Sequence, residues 1–127
     1  MTTTQEVERG TSLSSEISNM MVSILAEYTG RGPTKARTTL DKDLVVILMR
    51  DTLTKGERTL VDAGKSEEVL QVRRLFQSAM RRDATEGIER LTGRRVVGFM
   101  SDNHIEPDLA VETFVLESEP GGGAPAA

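Results

Sequence analysis

Six consecutive apolar residues, "LVVILM" at residues 44–49, constrain the fold of this chain more than any other segment. A strand with one solvated face alternates apolar and polar residues, whereas an unbroken apolar run is typical of a strand buried on both faces. The run is far too short to span a bilayer. We therefore predict a central strand, with one face covered by helices of the chain. The other face is expected to be covered by the first helix or by a second copy.

An amphipathic helix is predicted before this strand. Apolar residues recur there at spacings of three and four, which place them on one stripe of a helix. They are Ile17, Met20, Met21, Ile24, Leu25 and Tyr28. Gly30 provides the left-handed position that ends such a helix, and Pro33 cannot continue it. Residues 35–40 are predicted as an extended strand, and "DKD" at residues 41–43 as a tight turn.

Two further helices are predicted after the apolar run. Thr54 and Glu57 have the spacing of a capping box, so a short helix starts there and ends near Gly64. Ser66 is the expected N-cap of the next helix, which Gly93 ends. The expected core stripe of that helix comprises Val69, Val72, Phe76, Ala79, Met80, Ile88 and Leu91.

A second hairpin is predicted at the end of the domain. Residues 95–100 and 109–117 have the composition of strands, and "SDNHIEPD" at residues 101–108 connects them. Alternation in the second strand places four side chains on one face. They are Ala110, Glu112, Phe114 and Leu116.

The predicted fold class is α+β: a small, mainly antiparallel sheet of two hairpins, two central helices between them, and an N-terminal amphipathic helix. Residues 1–11 are expected to be frayed, and residues 119–127 to be a flexible tail of Gly, Pro and Ala. This leaves a single domain at residues 12–118, and a length of 127 residues suits one modest core.

Composition limits the function classes to which this chain can belong. It contains no cysteine, which excludes disulfides, thiolate metal sites and a cysteine nucleophile. A net charge of −4 argues against nucleic-acid binding, which normally needs a basic surface. The N-terminal segment lacks the basic and apolar regions of a secretion signal, so we expect a cytoplasmic protein.

The single histidine, His104, lies in an acidic segment and is the first candidate for chemistry. If the segment is extended, Asp102 and His104 project from the same face, with Asp108 as a third metal ligand or Ser101 as a nucleophile. Zinc sites, however, use several histidines or cysteines, and no nucleophile-elbow motif surrounds the serine. We favour a polar turn that forms a recognition surface, without metal or cofactor. Its candidate residues are Asp102, Asn103, His104 and Asp108.

A basic segment, "GRGPTKAR" at residues 30–37, is the second candidate site, with Arg31, Lys35 and Arg37 as its candidate ligand-binding residues. Its spacing differs from that of a phosphate-binding loop, and it follows a helix where that motif follows a strand. We interpret it as a helix stop and a solvated strand. If the basic and acidic segments meet, within one chain or across a dimer, they form a structural contact or a docking surface.

An arginine-rich stretch of the third helix, "RRLFQSAMRR" at residues 73–82, is a third candidate surface. Its cations are Arg73, Arg74, Arg81 and Arg82. An acidic partner or a membrane surface is one interpretation. Because acidic residues nearby offset most of this charge, we favour a solvated helix face.

With these motifs in order, the chain resembles the MpsC-like family, which is named for a Na+-translocating, membrane-potential-generating system. The matching segments are "GRGPTKAR" (residues 30–37), "LVVILMRDTLTKGERTLVDAG" (residues 44–64) and "LTGRRVVGFMSDNHIEPDLAVETFVLE" (residues 91–117), with the helix between the last two. The resemblance implies a soluble accessory component associated with membrane ion or inorganic-carbon transport. It implies no catalytic residues.

Two functional hypotheses from different classes follow. The first is a soluble, noncatalytic accessory or regulatory module, a homodimer that acts at the membrane through a transport protein and without inserting into the bilayer. The alternative is a small-molecule or anion-binding domain that uses the basic residues 30–37 and the acidic residues 102–108. An enzyme is the third class, because it needs a second titratable group beside His104 in a concave pocket.

Overall fold

The computed structural model describes residues 4–118, with side chains from Leu13 onward. Within this range it contains three helices and four strands. In chain order these are α1 (Thr4–Thr29), β1 (Lys35–Asp41), β2 (Leu44–Arg50), α2 (Lys55–Asp62), α3 (Ser66–Thr92), β3 (Val96–His104) and β4 (Leu109–Leu116). The predicted α+β class is confirmed, and the expected tail at residues 119–127 lies outside the described residues.

The strands form one antiparallel sheet in the order β1-β2-β4-β3. The apolar run forms β2, which pairs with β1 on one side and with β4 on the other. Its prediction as a central strand is therefore confirmed. Pairing of β2 with β4 joins the two predicted hairpins into a single sheet, with β1 and β3 as its edge strands.

The hydrophobic core lies between the sheet and a layer made of α1 and α3. Its buried side chains are Ile17, Met21, Leu25, Val45, Ile47, Met49, Met80, Ala84, Ile88, Ala110, Phe114 and Leu116. The two helices approach closely at Gly87, where an added Cβ would lie 2.7 Å from the sulfur of Met20. Because α1 packs on the same face of the sheet as α3, it does not cover the second face of β2.

That second face is termed the open face. Alternation along the strands defines its side chains: Lys35, Arg37, Thr39 and Asp41 from β1; Leu44, Val46, Leu48 and Arg50 from β2; Leu109, Val111, Thr113 and Val115 from β4; and Met100, Asp102 and His104 from β3. Leu44 is 38% exposed and Met100 is 56% exposed. A solvated face of an antiparallel sheet is usually polar, so the apolar centre of this one needs an explanation.

Two boundaries differ from the prediction. α1 begins at Thr4, so the segment expected to be frayed, residues 1–11, is helical from that point. β3 continues to His104, so only residues 105–108 form the turn, and the first half of "SDNHIEPD" is strand. Polar residues suit this strand because its side chains alternate between the helices and solvent.

The helices α2 and α3 agree with the prediction in part. Thr54 and Glu57 form the predicted capping box, since each side chain accepts a hydrogen bond from the backbone N–H of the other residue. Ser66, the predicted N-cap of α3, is instead its first helical residue. Val72 and Ala79 were predicted in the core, but both are exposed because they lie on the side of α3 turned away from the sheet.

Candidate functional site

Asp108, the last residue of the predicted recognition segment, ties the start of β4 to the segment that precedes α2. One carboxylate oxygen accepts hydrogen bonds from the backbone N–H and the hydroxyl of Thr52, both at 3.1 Å. The other accepts from the backbone N–H of Leu53 at 3.0 Å and from the guanidinium of Arg58 at 3.1 Å. Its side chain is only 5% exposed, so in this structure Asp108 is an anchor inside the molecule.

Arg73 of α3 belongs to the same group of hydrogen-bonded side chains, which is termed the ionic cluster. Its members are Thr52, Glu57, Arg58, Arg73, Asn103 and Asp108. The guanidinium of Arg73 donates to the Glu57 carboxylate at 3.4 Å, to the hydroxyl of Thr52, and to the side-chain oxygen of Asn103 at 3.3 Å. The side chains of Arg73 and Glu57 are 3% and 10% exposed. The interpretation of Arg73 as part of a solvated helix face is therefore wrong. Removing either member of such a buried pair leaves a charge without compensation.

Glu112 of β4 is another buried carboxylate that faces the helices, at 2% exposure. It lies opposite Ser101 on β3, and neither its Oε2 nor the serine hydroxyl has a hydrogen-bond partner among the described residues. Beside it is a cavity of about 10 Å³, also lined by Arg73 and Asn103, which is about the minimum that holds one water molecule. Burial raises the pKa of Glu112 to about 7, and the Ser101 hydroxyl and the Arg73 charge oppose this shift.

The structure divides the residues predicted for ligand or partner binding between the interior and the open face. Asn103 and Asp108 point inward to the ionic cluster. Arg31 lies in the loop after α1 and donates to the backbone oxygen of Asp51 at 3.3 Å. The other four lie on the open face: Lys35, Arg37, Asp102 and His104.

Asp102 and His104 share one face of β3, as predicted. The ring of His104 donates from Nδ1 to the carbonyl oxygen of Pro107 at 2.8 Å. Arg37 lies on β1, the opposite edge strand. Three strand spacings of about 4.8 Å separate it from Asp102 by roughly 14 Å. The basic and acidic side chains of the open face therefore do not meet within one chain.

Two shallow depressions lie on the open face. The larger, of about 440 Å³, is lined by the cations Lys35, Arg37 and Arg50 together with Thr34, Ala36 and Leu48. The smaller, of about 230 Å³, includes Asp102 and His104 in its lining. Three cations around the larger depression make it the more favourable place for an anion.

The outward side of α3 carries an exposed apolar stripe, termed the α3 stripe. Val72 is 40% exposed and Leu75 is 71% exposed, and Ala79 continues the line one turn further along the helix. Spacings of three and four residues place these side chains next to one another. Apolar residues in line on the outside of a helix are typical of a surface that binds another helix.

The comparison with protein families matches residues 9–118 to the family described as "Na+-translocating membrane potential-generating system (MpsC)". The chain belongs to the MpsC family. The resemblance identified from its motifs is therefore confirmed. A relative, the "Uncharacterized protein YrhF" of Bacillus subtilis (strain 168), is 26% identical over 104 residues, which cover 80% of this chain and 85% of that protein. No solved structure matches the chain.

Two structural findings on this MpsC-family chain concern membranes and metals. Between residues 4 and 118, no helix is long and apolar enough to cross a bilayer. Among the described side chains, no three of the acidic and histidine residues are grouped so that they could hold a metal ion.

Arg73 and Glu112 were not predicted to be buried functional residues, although the sequence of this MpsC-family chain contains a signal for each. Arg73 lies four residues after Val69 and four before Gln77, on the buried stripe of α3. Alternation in β4 had already placed Glu112 on the same face as Phe114. A charged residue on an otherwise apolar face is therefore the sign of a buried polar cluster.

Replacing Arg73 with Met in this MpsC-family chain is expected to lower the free energy of unfolding by about 3–5 kcal/mol, because the Glu57 carboxylate then stays buried without its cation. Urea denaturation followed by circular dichroism measures the loss. The matched control is Arg82→Met, which breaks an exposed pair with Glu86 and should leave the free energy of unfolding close to that of the wild type. Equal losses in the two variants would contradict a structural role for the buried pair.

Glu112→Gln is expected to remove a pH dependence of stability from this MpsC-family chain. The pKa of Glu112 is about 7 in the folded chain against 4.5 for an ordinary glutamate. The folded state therefore holds the proton more tightly, and stability falls as the pH rises from 4.5 through 7. This difference corresponds to about 3 kcal/mol. The variant should exceed the wild type in free energy of unfolding by less than about 1 kcal/mol at about pH 5 and by up to about 3 kcal/mol at about pH 8.

Denaturant titrations at the two pH values make this measurement. Glu117→Gln, at an exposed position just after β4, is the control and should show the same difference from wild type at both. A Glu112→Gln effect that does not change with pH would show that this carboxylate is not the titrating group.

Proposed function

We propose that this chain is a noncatalytic interaction module that acts at the membrane through a partner protein of a Na+-translocating, membrane-potential-generating system. The observation that carries the proposal is the α3 stripe, where Leu75 is 71% exposed between Val72 and Ala79. A helix of a partner protein would remove these side chains from water. The membrane system comes from the family description alone.

The chemistry of the interior supports a noncatalytic role. The carboxylate of Asp108 accepts hydrogen bonds from the segment before α2 and from α2 itself. The guanidinium of Arg73 donates hydrogen bonds to side chains of α2 and β3. His104 donates to a backbone carbonyl at the edge of the sheet. Catalysis by these groups would first require breaking contacts that hold the elements together.

Copurification tests the proposal. A tagged chain expressed in its own cells should recover an integral membrane protein from detergent-solubilised membranes, identified by mass spectrometry. Leu75→Asp should reduce this recovery at least fivefold, because it places a charge in the centre of the α3 stripe. Since the side chain is largely exposed, the variant should melt at the temperature of the wild type.

Ser15→Asp is the matched control, because it adds the same charge at an exposed position on α1, away from the α3 stripe. It should leave the recovery unchanged. Recovery of no membrane protein by the wild type, or equal recovery by the wild type and Leu75→Asp, would contradict the proposal.

Anion binding is the second candidate function, and the cationic depression of about 440 Å³ around Lys35, Arg37 and Arg50 favours it. The acidic residues 102–108 are not part of this anion site, because Asp102 lies on β3, at the opposite edge of the sheet. Phosphate or bicarbonate at ten times its Kd should stabilise the folded chain by about 1.4 kcal/mol and raise its Tm. Arg50→Gln should abolish the shift while Arg74→Gln, on α3, preserves it. Absence of a shift with both anions would leave the interaction module as the supported function.

A further inference from the structure

The open face carries opposite charges on its two edges. Arg37 on β1 and Asp102 on β3 lie in one row across the sheet, with Leu48 of β2 and Val111 of β4 between them. Both charged side chains are exposed. The row therefore has a cation at one end, an acid at the other and apolar side chains in the middle.

The centre of the open face is apolar along most of its length. On this face β2 and β4 carry Leu44, Val46, Leu48, Leu109, Val111, Thr113 and Val115, with one cation, Arg50, at the end of β2. Four strands about 4.8 Å apart, each about 23 Å long, make a plane of roughly 400 Å². Side chains that stand on this plane expose more surface than the plane itself, so the face approaches the roughly 600 Å² per partner of the smaller specific interfaces. The apolar centre on β2 and β4 is about half of this plane, and a contiguous apolar patch bordered by charged residues is typical of an interaction site.

We propose that a second copy of the chain covers the open face in a two-fold symmetric dimer. The two sheets pack face to face about 10 Å apart, as in β-sandwiches. The two-fold axis lies between the sheets and runs parallel to the strands, so β1 of each copy lies opposite β3 of the other. Arg37 then faces Asp102 of the second copy at both edges. Between the edges, Leu48 faces Val111 of the second copy.

The charges favour this axis over the other face-to-face arrangement. An axis perpendicular to the strands places β1 opposite β1, with Arg37 opposite Thr39 and Asp102 opposite an apolar side chain. It matches only Lys35 with Asp41, and it leaves the Asp102 carboxylate desolvated without a partner. The parallel axis instead pairs Arg37 with Asp102 at both edges, and it places Arg50 opposite Leu109 and Lys35 opposite His104 in the last row, at the end of the sheet. Pairing of one patch with its own copy is the condition for an isologous interface.

Charge reversal tests the dimer on the purified chain, independently of the membrane role. The wild type should sediment as a dimer at micromolar concentration. Arg37→Asp brings two acids together at each edge, and Asp102→Arg brings two cations together. Each variant alone should therefore raise the dissociation constant at least tenfold. An equimolar mixture should form a heterodimer, because each variant supplies the charge that the other needs.

Arg74→Asp is the matched control, because it reverses an exposed charge on α3, behind the sheet, and should leave the dimer intact. Thermal melting followed by circular dichroism establishes that the variants are folded. A wild type that stays monomeric at a concentration tenfold higher would overturn the dimer. Single variants that remain dimeric, or a mixture that stays monomeric, would overturn the pairing of Arg37 with Asp102 and with it the proposed axis.

Discussion

The carboxylate of Asp108 holds the region where the sheet meets the segment before α2. Its hydrogen bonds attach Thr52 and Leu53 to the start of β4, and Arg73 joins the same region from α3. Buried charges need partners, so these hydrogen bonds favour the observed relative placement of the elements. The open face depends on this placement: α3 is held on one side of the sheet together with α1, and the apolar side chains of β2 and β4 on the other side are left to solvent or to another protein.

The elements were predictable where periodicity and special residues agree. Apolar spacing located α1, the capping box of Thr54 and Glu57 started α2, and the run at residues 44–49 identified the central strand. The pairing of β2 with β4 was not predictable, because the two hairpins are separated by both helices and offer several edges for association. The side of the sheet that α1 covers was equally hidden, since an amphipathic stripe shows that a helix has an inward face but not what it packs against.

The candidate site was predictable only as a set of residues. Asn103 and Asp102 are neighbours in sequence, yet one contacts Arg73 and the other faces solvent, because β3 extends through them and its side chains alternate. Ending the predicted strand at Met100 concealed that division. The burial of Arg73 depends on Glu57, a partner that comes close only after α2 and α3 pack together. The family, by contrast, was identified from short motifs, and the comparison confirmed it, while the membrane partner stays a proposal.

The strand order also has a consequence for synthesis on the ribosome. β2 is complete at Arg50, but its second neighbour, β4, begins only at Leu109. During most of translation, a strand that is apolar on both sides therefore has an unpaired edge, and such a segment associates readily with other nascent chains. β1 has already been made when β2 emerges, and a short turn joins them. Pairing with β1 is therefore the first cover that one edge of the apolar strand can acquire, before β4 has been made.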